Sequence, residues 1–420
     1  ELLEPSFGGI NLEDIAAPDC FIIEQALKER MNIPVFHDDQ HGTAIITAAG
    51  LINACHLTDR KLADIRVVVN GAGAAAIACT ELIKAMGVPG DHVIMCDRKG
   101  VIHKGRTDLD QWKSAHAVDT DRRTLAEALE GADVFLGLSA AGALKPEMVE
   151  KMGQEPIIFA MANPDPEIWP PDAVAVRPDA IIATGRSDFP NQVNNVLGFP
   201  FIFRGAPDVR ATRFNDEMKI AAARALAELA REPVPEEVAA AYGGRSQSFG
   251  RDYIIPAPFD PRLMEVVASA VAEAAVSSGV AQKPISDMDG YRTQLRARLN
   301  PTVSVLSLAY EAARANPKRV LFAEGEEPNV LMAAIAFKEA GYGTPVLVGR
   351  EDTYDLLREH GVENPKEYEV LNSRNSPLVG RAVEFIYQKH QRHGMLRREV
   401  ERLVNQDRNY FAAAMLALGE

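Results

Sequence analysis

Two hydrophobic signatures alternate along the chain. Short continuous apolar runs occur at IRVVVN (65–70), HVIMCD (92–97), DVFLGLS (133–139), PIIFAMAN (156–163) and AIIATG (180–185). Strands buried on both faces of a parallel sheet read this way, without in–out alternation. Between them lie IACTELIKAMG (77–87), TLAEALEGA (124–132) and KPEMVEKM (145–152), with apolar residues three and four apart as in a helix packed on one side. Strands alternating with helices predict an α/β fold, a doubly wound parallel sheet of Rossmann type, over residues 65–190.

Upstream, GGINLEDI (8–15) and NIPVF (32–36) read as short strands. DCFIIEQALKERM (19–31) reads as a helix between them, with Phe21, Ile22, Ile23, Ala26, Leu27 and Met31 as its apolar positions and Asp19 as its cap. GTAIITAAGLINACHL (42–57) follows as an Ala-rich helix. Downstream, residues 212–231 and 262–279 read as helices, and the Pro- and Gly-bearing stretch 232–261 between them as a surface connection. KPISDMDG (283–290) reads as a linker, after which a second α/β pattern begins near residue 291. The expected domains are 1–64, 65–282 and 283–420.

A length of 420 residues agrees with two or three domains. With 47% hydrophobic and 25% charged residues the chain is of globular type. No apolar run reaches the roughly 18–20 residues that span a bilayer. The opening ELLEPSFGG has neither a basic nor an apolar signal region. It also lacks an initiator Met, so an upstream segment is expected, in a cytoplasmic protein. A net charge of −14 argues against nucleic acid or an anionic membrane as partner. The four cysteines show no CxxC spacing and read as reduced core residues.

The chemistry starts at Gly71-Ala72-Gly73-Ala74-Ala75-Ala76. This fits the dinucleotide turn between a strand and a helix, where helix N–H groups receive a pyrophosphate. Asp97 closes the next strand and would accept from a ribose hydroxyl, which favours NAD. Arg98 and Lys99 follow at once and would pair a 2′-phosphate, which favours NADP. The residues alone leave that choice open.

Glu13-Asp14 follows the first short strand and Asp38-Asp39 the second, with one helix between them. In a right-handed βαβ unit both pairs reach one sheet edge. Hard oxygens at that density suit Mg²⁺ or Mn²⁺; solvated turns capped by Asp are the equal alternative. Asn163-Pro164, Gly185-Arg186-Ser187 and Asn194-Asn195 follow later strands, where amides orient a carboxylate or a carboxamide; Asn-Pro is also an ordinary turn former. His37 and His41, beside the acidic pair, read as structural. The basic run His390, Arg392, His393, Arg397 and Arg398 reads as a solvated helix face.

FHDDQHGTA (36–44), VVNGAGAAA (68–76), MANPDPE (161–167), ATGRSDFPNQVNNVLGFPFIFRGA (183–206) and GRDYIIPAPFDPRL (250–263) resemble the bacterial malic enzymes. RVLFAEGEEPNVLMAA (319–334) and NQDRNYFAAAML (405–416) are similar to the start of a phosphate acetyltransferase. The pairing resembles the hybrid two-domain malic enzymes. That resemblance implies oxidative decarboxylation of malate to pyruvate and CO₂ with NADP, NAD being the lesser alternative, and with Mg²⁺ or Mn²⁺. It implies Glu13, Asp14 and Asp39 as metal ligands and Asp38 as a carboxylate beside the catalytic lysine. Gly71 to Ala75, Asp97, Arg98 and Asn163 would hold the cofactor, and Asn194 and Asn195 the substrate. It further implies a homo-oligomer, with acetyl-CoA as regulator at the last domain. The family's tyrosine and lysine upstream of the Glu-Asp pair have no match among the twelve residues before Glu13. A non-catalytic nucleotide or acetyl-CoA sensor, and a metal-free Rossmann dehydrogenase, are therefore the alternatives. Asn329 stands where acetyltransferases usually carry arginine, which speaks against transferase activity.

Overall fold

Six strands form the main sheet in the order β5-β4-β3-β6-β7-β8. They are β3 (Val67–Asn70), β4 (Val93–Asp97), β5 (Gly100–Val101), β6 (Val134–Gly137), β7 (Ile157–Ala160) and β8 (Ile181–Thr184). All pairings are parallel except the β4–β5 hairpin. The chain winds outward from β3 to β5, then returns to β6 on the other side, so the strand order reverses between β3 and β6. This computed structural model describes residues 4–235, 248–299 and 312–420, with Leu2, Val238 and Ala309.

Residues on β3, β6 and β7 are buried without exception. Val67, Val69, Leu136, Ile157 and Phe159 face one core with the helices Thr43–Leu57, Ala74–Ala85, Asp216–Arg231 and Arg262–Ser277. Val68, Phe135, Ile158 and Ala160 face the other, with the shorter helices Leu125–Leu129, Pro146–Val149 and Pro170–Val176. Two covered faces explain the continuous apolar runs. All four cysteines are buried free thiols, and burial pushes Cys55, Cys79 and Cys96 up to about 12. No described helix is long and apolar enough to cross a membrane.

The segment ahead of the sheet forms a small parallel pair, β1 (Ile10–Leu12) with β2 (Val35–His37), in the register Leu12↔His37. The helix Asp19–Arg30 joins them, but Asp19 is its first residue and the cap position is Pro18, with no side-chain cap. The apolar stripe also differs from expectation. Ile22 is 55% exposed, Ile23 is exposed, and Glu24 is buried. A carboxylate tolerates burial only when its oxygens are satisfied, and Glu24 accepts from both Lys28 and His41 at 2.7 Å.

The Pro- and Gly-bearing connection is only partly a surface one, since Tyr253, Ile254, Ile255 and Ala257 are buried. Asn191 makes this affordable by accepting from the Ile254 N–H at 2.9 Å, while Asn53 donates to the Ile254 carbonyl at 2.9 Å. Residues 236, 237 and 239–247 of that connection lie outside the described residues.

The chain divides into two compact units, Glu1–Leu299 and Asn300–Glu420. The sequence reading starts its last domain at 283, yet the helix Met288–Leu299 belongs to the first unit because Tyr291 and Leu295 fill that unit's core. The second unit has a parallel sheet in the order β11-β10-β9, formed by β9 (Lys318–Phe322), β10 (Gly343–Val348) and β11 (Glu369–Leu371). Val348, Val383, Val400, Val404, Phe411 and Met415 make one of its cores.

Candidate active site

The C-terminal ends of β3, β6, β7 and β8 lie along one sheet edge, where ligands bind in doubly wound sheets. Gly71 has φ +132°, and a Cβ there would lie 2.3 Å from the Leu138 carbonyl oxygen. Only glycine lets the turn pass that close to the β6 loop. At Gly73 nothing lies within 4 Å of a Cβ position, so the backbone is open to a ligand. The helix Ala74–Ala85 starts there with no side-chain cap, leaving its first N–H groups available. Ala72, Ala74 and Ala75 are half-buried around the turn, and Ala76 is buried against the core.

Asp97 ends β4 as expected, but its carboxylate is already engaged. Arg106 donates to both oxygens, at 2.8 and 3.0 Å, and the Lys99 N–H donates at 2.9 Å. Burial opposes ionisation here, yet these donors hold the Asp97 carboxyl below its usual range. Lys99 pairs with Asp108 at 2.7 Å, while Arg98 is exposed.

After β7, Asn163 is exposed, and its Oδ1 lies 3.0 Å from a Cβ position on Gly185, just beyond β8. Asn194 accepts from the Val196 N–H at 3.0 Å and so shapes its own turn. Asn195 reaches further: it accepts from Thr43 Oγ1 and donates to the Asp38 carbonyl, both at 3.2 Å. It thereby ties the loop after β8 to the acidic turn after β2.

That acidic turn is a single π-helical turn, Asp38–Gly42, packed against the helix Ala74–Ala85. The β1–β2 register puts Glu13-Asp14 beside it, and the Asp14 N–H donates to Asp39 Oδ2 at 3.0 Å. Asp38 is 8% exposed and its Oδ1 has no hydrogen-bond partner among the described residues. Burial, reinforced by the charges of Glu13 and Asp39 and opposed by Asn195, pushes its carboxyl up to about 6. A Cβ on Gly42 would sit 2.1 Å from that same Oδ1, so glycine makes room for it.

Glu13, Asp14 and Asp39 therefore share one corner. Among the described residues, however, no three His, Cys, Asp or Glu side chains converge as an ion cage. Their donor chemistry fits a hard divalent cation, and the orphaned Asp38 Oδ1 is an acceptor that such a charge would satisfy.

His41 supports the turn from beneath. Its Nε2–H donates to Glu24. Burial, with Lys219 adding, brings the imidazole down to about 4 and keeps it neutral. Burial opposes the ionisation of Glu24, but His41 and Lys28 hold its carboxyl at about 2. The ammonium of Lys28 is the countercharge. His37 is fully buried, and neither ring nitrogen has a hydrogen-bond partner among the described residues, although Nδ1 lies 3.8 Å from Asp39 Oδ2.

Sequence reasoning missed Glu167, which is fully buried at the same edge and accepts from the N–H groups of Ser139 and Ala162. Burial raises its carboxyl pKa and the N–H donors oppose that rise. Its sole sequence signal is its place in MANPDPE, next to the Asn163 turn.

Residues 40–240 match the family described as malic enzyme, NAD binding domain, and residues 304–420 match phosphate acetyl/butaryl transferase. An NADP-dependent malic enzyme of Rhizobium meliloti is 61% identical over all of this chain, which covers 55% of that protein. A crystal structure of an NAD-dependent malic enzyme from Thermotoga maritima is 44% identical, with 64% of this chain and 68% of that one covered and a TM-score of 0.57. The chain belongs to the malic enzyme family. The malic enzyme of Entamoeba histolytica is also similar, at 37% identity and a TM-score of 0.64, with 74% of this chain and 64% of that one covered. The chain spans about half the length of the curated malic enzymes it matches. Within the malic enzyme match lie the glycine turn and the asparagine loops; the match begins part-way through the acidic turn, after Asp38 and Asp39. The β1 end with Glu13-Asp14 precedes it.

Proposed function

We propose that the chain carries the nucleotide- and metal-binding part of an NADP-dependent malic enzyme, which turns malate into pyruvate and CO₂. The observation that carries this is the packing of the acidic turn Asp38–Gly42 on the helix that begins at the glycine turn. That arrangement sets carboxylates beside a dinucleotide cradle.

The glycine turn and the helix N-terminus receive the pyrophosphate. Asn163 orients the nicotinamide end, and Asn194 and Asn195 hold malate, so that positioning is converted into rate. Glu13, Asp14 and Asp39 would hold Mg²⁺ or Mn²⁺, which supplies Lewis-acid polarisation of the substrate oxygens. Asp38 accepts a hydrogen bond from the lysine that the family places beside it. NADP is preferred over NAD because Arg106 engages both Asp97 oxygens and offsets that carboxylate's charge, while Arg98 stays exposed to a 2′-phosphate. The second unit would sense acetyl-CoA and help assemble a cytoplasmic homo-oligomer.

The test is malate-dependent NADPH formation by a version extended at its N-terminus, with Mn²⁺ and with a chelator. Turnover that vanishes on chelation and is restored by Mn²⁺ is expected. Undiminished turnover under chelation would remove the metal assignment. Should the 420-residue chain bind NADP without turning over malate while the extended one does, the sensor reading holds for this segment alone.

A further inference from the structure

Glu167 is a carboxylate with no ion pair among the described residues. It is fully buried, and no described Lys, Arg or His lies within ion-pair reach. Buried carboxylates are normally paired, so its hydrogen bonds must justify it. Oε1 accepts from the Ser139 N–H at 2.8 Å and from Ser139 Oγ at 3.2 Å. Oε2 accepts from the Ala162 N–H at 3.0 Å. Ser139 Oγ in turn accepts from Asn70 Nδ2 at 2.7 Å. The side chain packs so closely on β6 that a Cβ on Gly137 would lie 2.5 Å from its Cδ.

These contacts join three strand ends. Asn70 ends β3 and leads into Gly71, Ser139 follows β6, and Ala162 follows β7 and precedes Asn163. In a doubly wound sheet the dinucleotide lies across the point where strand order reverses, here between β3 and β6. The adenosine half falls on the β4 side, where Asp97 and Arg98 stand. The nicotinamide half falls over β6, β7 and β8.

We propose that Glu167 is a positioning residue for the nicotinamide half of the cofactor, clamping the β6 loop to the Asn163 turn so that the carboxamide platform keeps its distance from the glycine turn. This rests on the dinucleotide reading above. Both oxygens face backbone N–H groups, so a glutamine must turn one NH₂ toward an N–H. The conflict opens the clamp on one side and leaves the Asp97 side untouched.

The experiment measures equilibrium binding of NADP and of 2′-phospho-ADP-ribose, which lacks nicotinamide, to the 420-residue chain and to Glu167→Gln. Loss of one buried hydrogen bond and creation of a donor–donor contact should weaken NADP by about tenfold or more. Binding of 2′-phospho-ADP-ribose should change less than about twofold, the range of a group outside its contact. Equal weakening of both ligands would make Glu167 a general structural residue, and no weakening of either would remove the clamp; both outcomes overturn the proposal. Failure of the unaltered chain to bind either ligand would sink the dinucleotide reading itself. Should Glu167→Gln not fold, Ser139→Ala decides. It keeps the carboxylate, loses the Oγ contacts, and should weaken NADP by about threefold with the same selectivity.

Discussion

Replacing Arg106 by alanine should move cofactor preference toward NAD. In the folded chain the guanidinium pairs with Asp97 through two charge-assisted bonds, at 2.8 and 3.0 Å, and holds Asp108 at 2.9 Å. Asp97 is largely shielded, its side chain being 13% exposed, so the removed charge is not simply replaced by water. Freed, the carboxylate gains one acceptor for a ribose 2′-hydroxyl, worth about 1 kcal/mol, or roughly fivefold. Against a 2′-phosphate it becomes a like charge. At about 5 Å and an effective dielectric of 20–80, each unit of charge costs about 1–3 kcal/mol. NADP affinity should therefore fall by about tenfold to a hundredfold while NAD affinity holds or rises. Dissociation constants for both nucleotides, measured on the unaltered and the variant chain, give the ratio directly. Raising salt to about 0.5 M should shrink the NADP loss, because the repulsion is screened while the hydrogen bond is not. A ratio unchanged within threefold in a folded variant would mean that Asp97 does not face the ribose, and the argument for NADP would fail.

Acid should destabilise the first unit partly through His116. Burial and the neighbouring Lys84 ammonium, 3.1 Å from Nδ1, bring its imidazole from 6.5 down to about 4. The unfolded chain then binds the extra proton between those values, so this contribution is complete above pH 6.5 and is lost as pH falls toward 4. Unfolding free energies from urea titrations followed by tryptophan fluorescence should fall by about 2–3 kcal/mol less between pH 7 and 4.5 for His116→Gln than for the unaltered chain; equal falls would contradict the assignment. Asn53 is fully buried, donates to the carbonyls of Ala227 and Ile254 at 2.9 Å each, and accepts from Arg231 at 2.7 Å. Asn53→Leu strands all three partners and should lower stability by about 2–4 kcal/mol in denaturant titrations. Gly71→Ala places a methyl against the Leu138 carbonyl at a φ of +132°. Nucleotide binding should fall beyond detection, or the melting temperature by several degrees, for a penalty of about 2–4 kcal/mol; a silent substitution would mean the turn relaxes freely.

What the sequence made legible was whatever a local pattern encodes. The runs at β3, β6 and β7 are continuously apolar up to Asn70 at the end of β3 because both sheet faces are covered, and their apolar residues divide by parity between two cores. The glycine turn was legible for the same reason, since its strand, glycines and helix are contiguous. Periodicity failed in the helix Asp19–Arg30, where it ranks Ile22 above Glu24. Burial there is decided by a hydrogen bond from His41, seventeen positions on, which no window along the helix contains. Asp97 shows the same division. Its place at a strand end is local, but its engagement depends on Arg106, nine residues further on and brought back past the β4–β5 hairpin. Glu167 and Ser139 meet across 28 positions. The acidic pairs are an intermediate case. The right-handed βαβ connection foretold that both would reach one edge, yet whether their oxygens close on an ion depends on side-chain torsions that a cation's charge would reset. Binding Mn²⁺ should therefore reorganise Glu13, Asp14 and Asp39 rather than enter a finished cage. A substitution that preserves shape but removes charge, Asp39→Asn, should then weaken Mn²⁺ binding by at least tenfold while leaving the NADP dissociation constant within about twofold. If it weakened NADP instead and spared Mn²⁺, the acidic turn would be serving the nucleotide, and the division of labour between the two strand edges would have to be reversed.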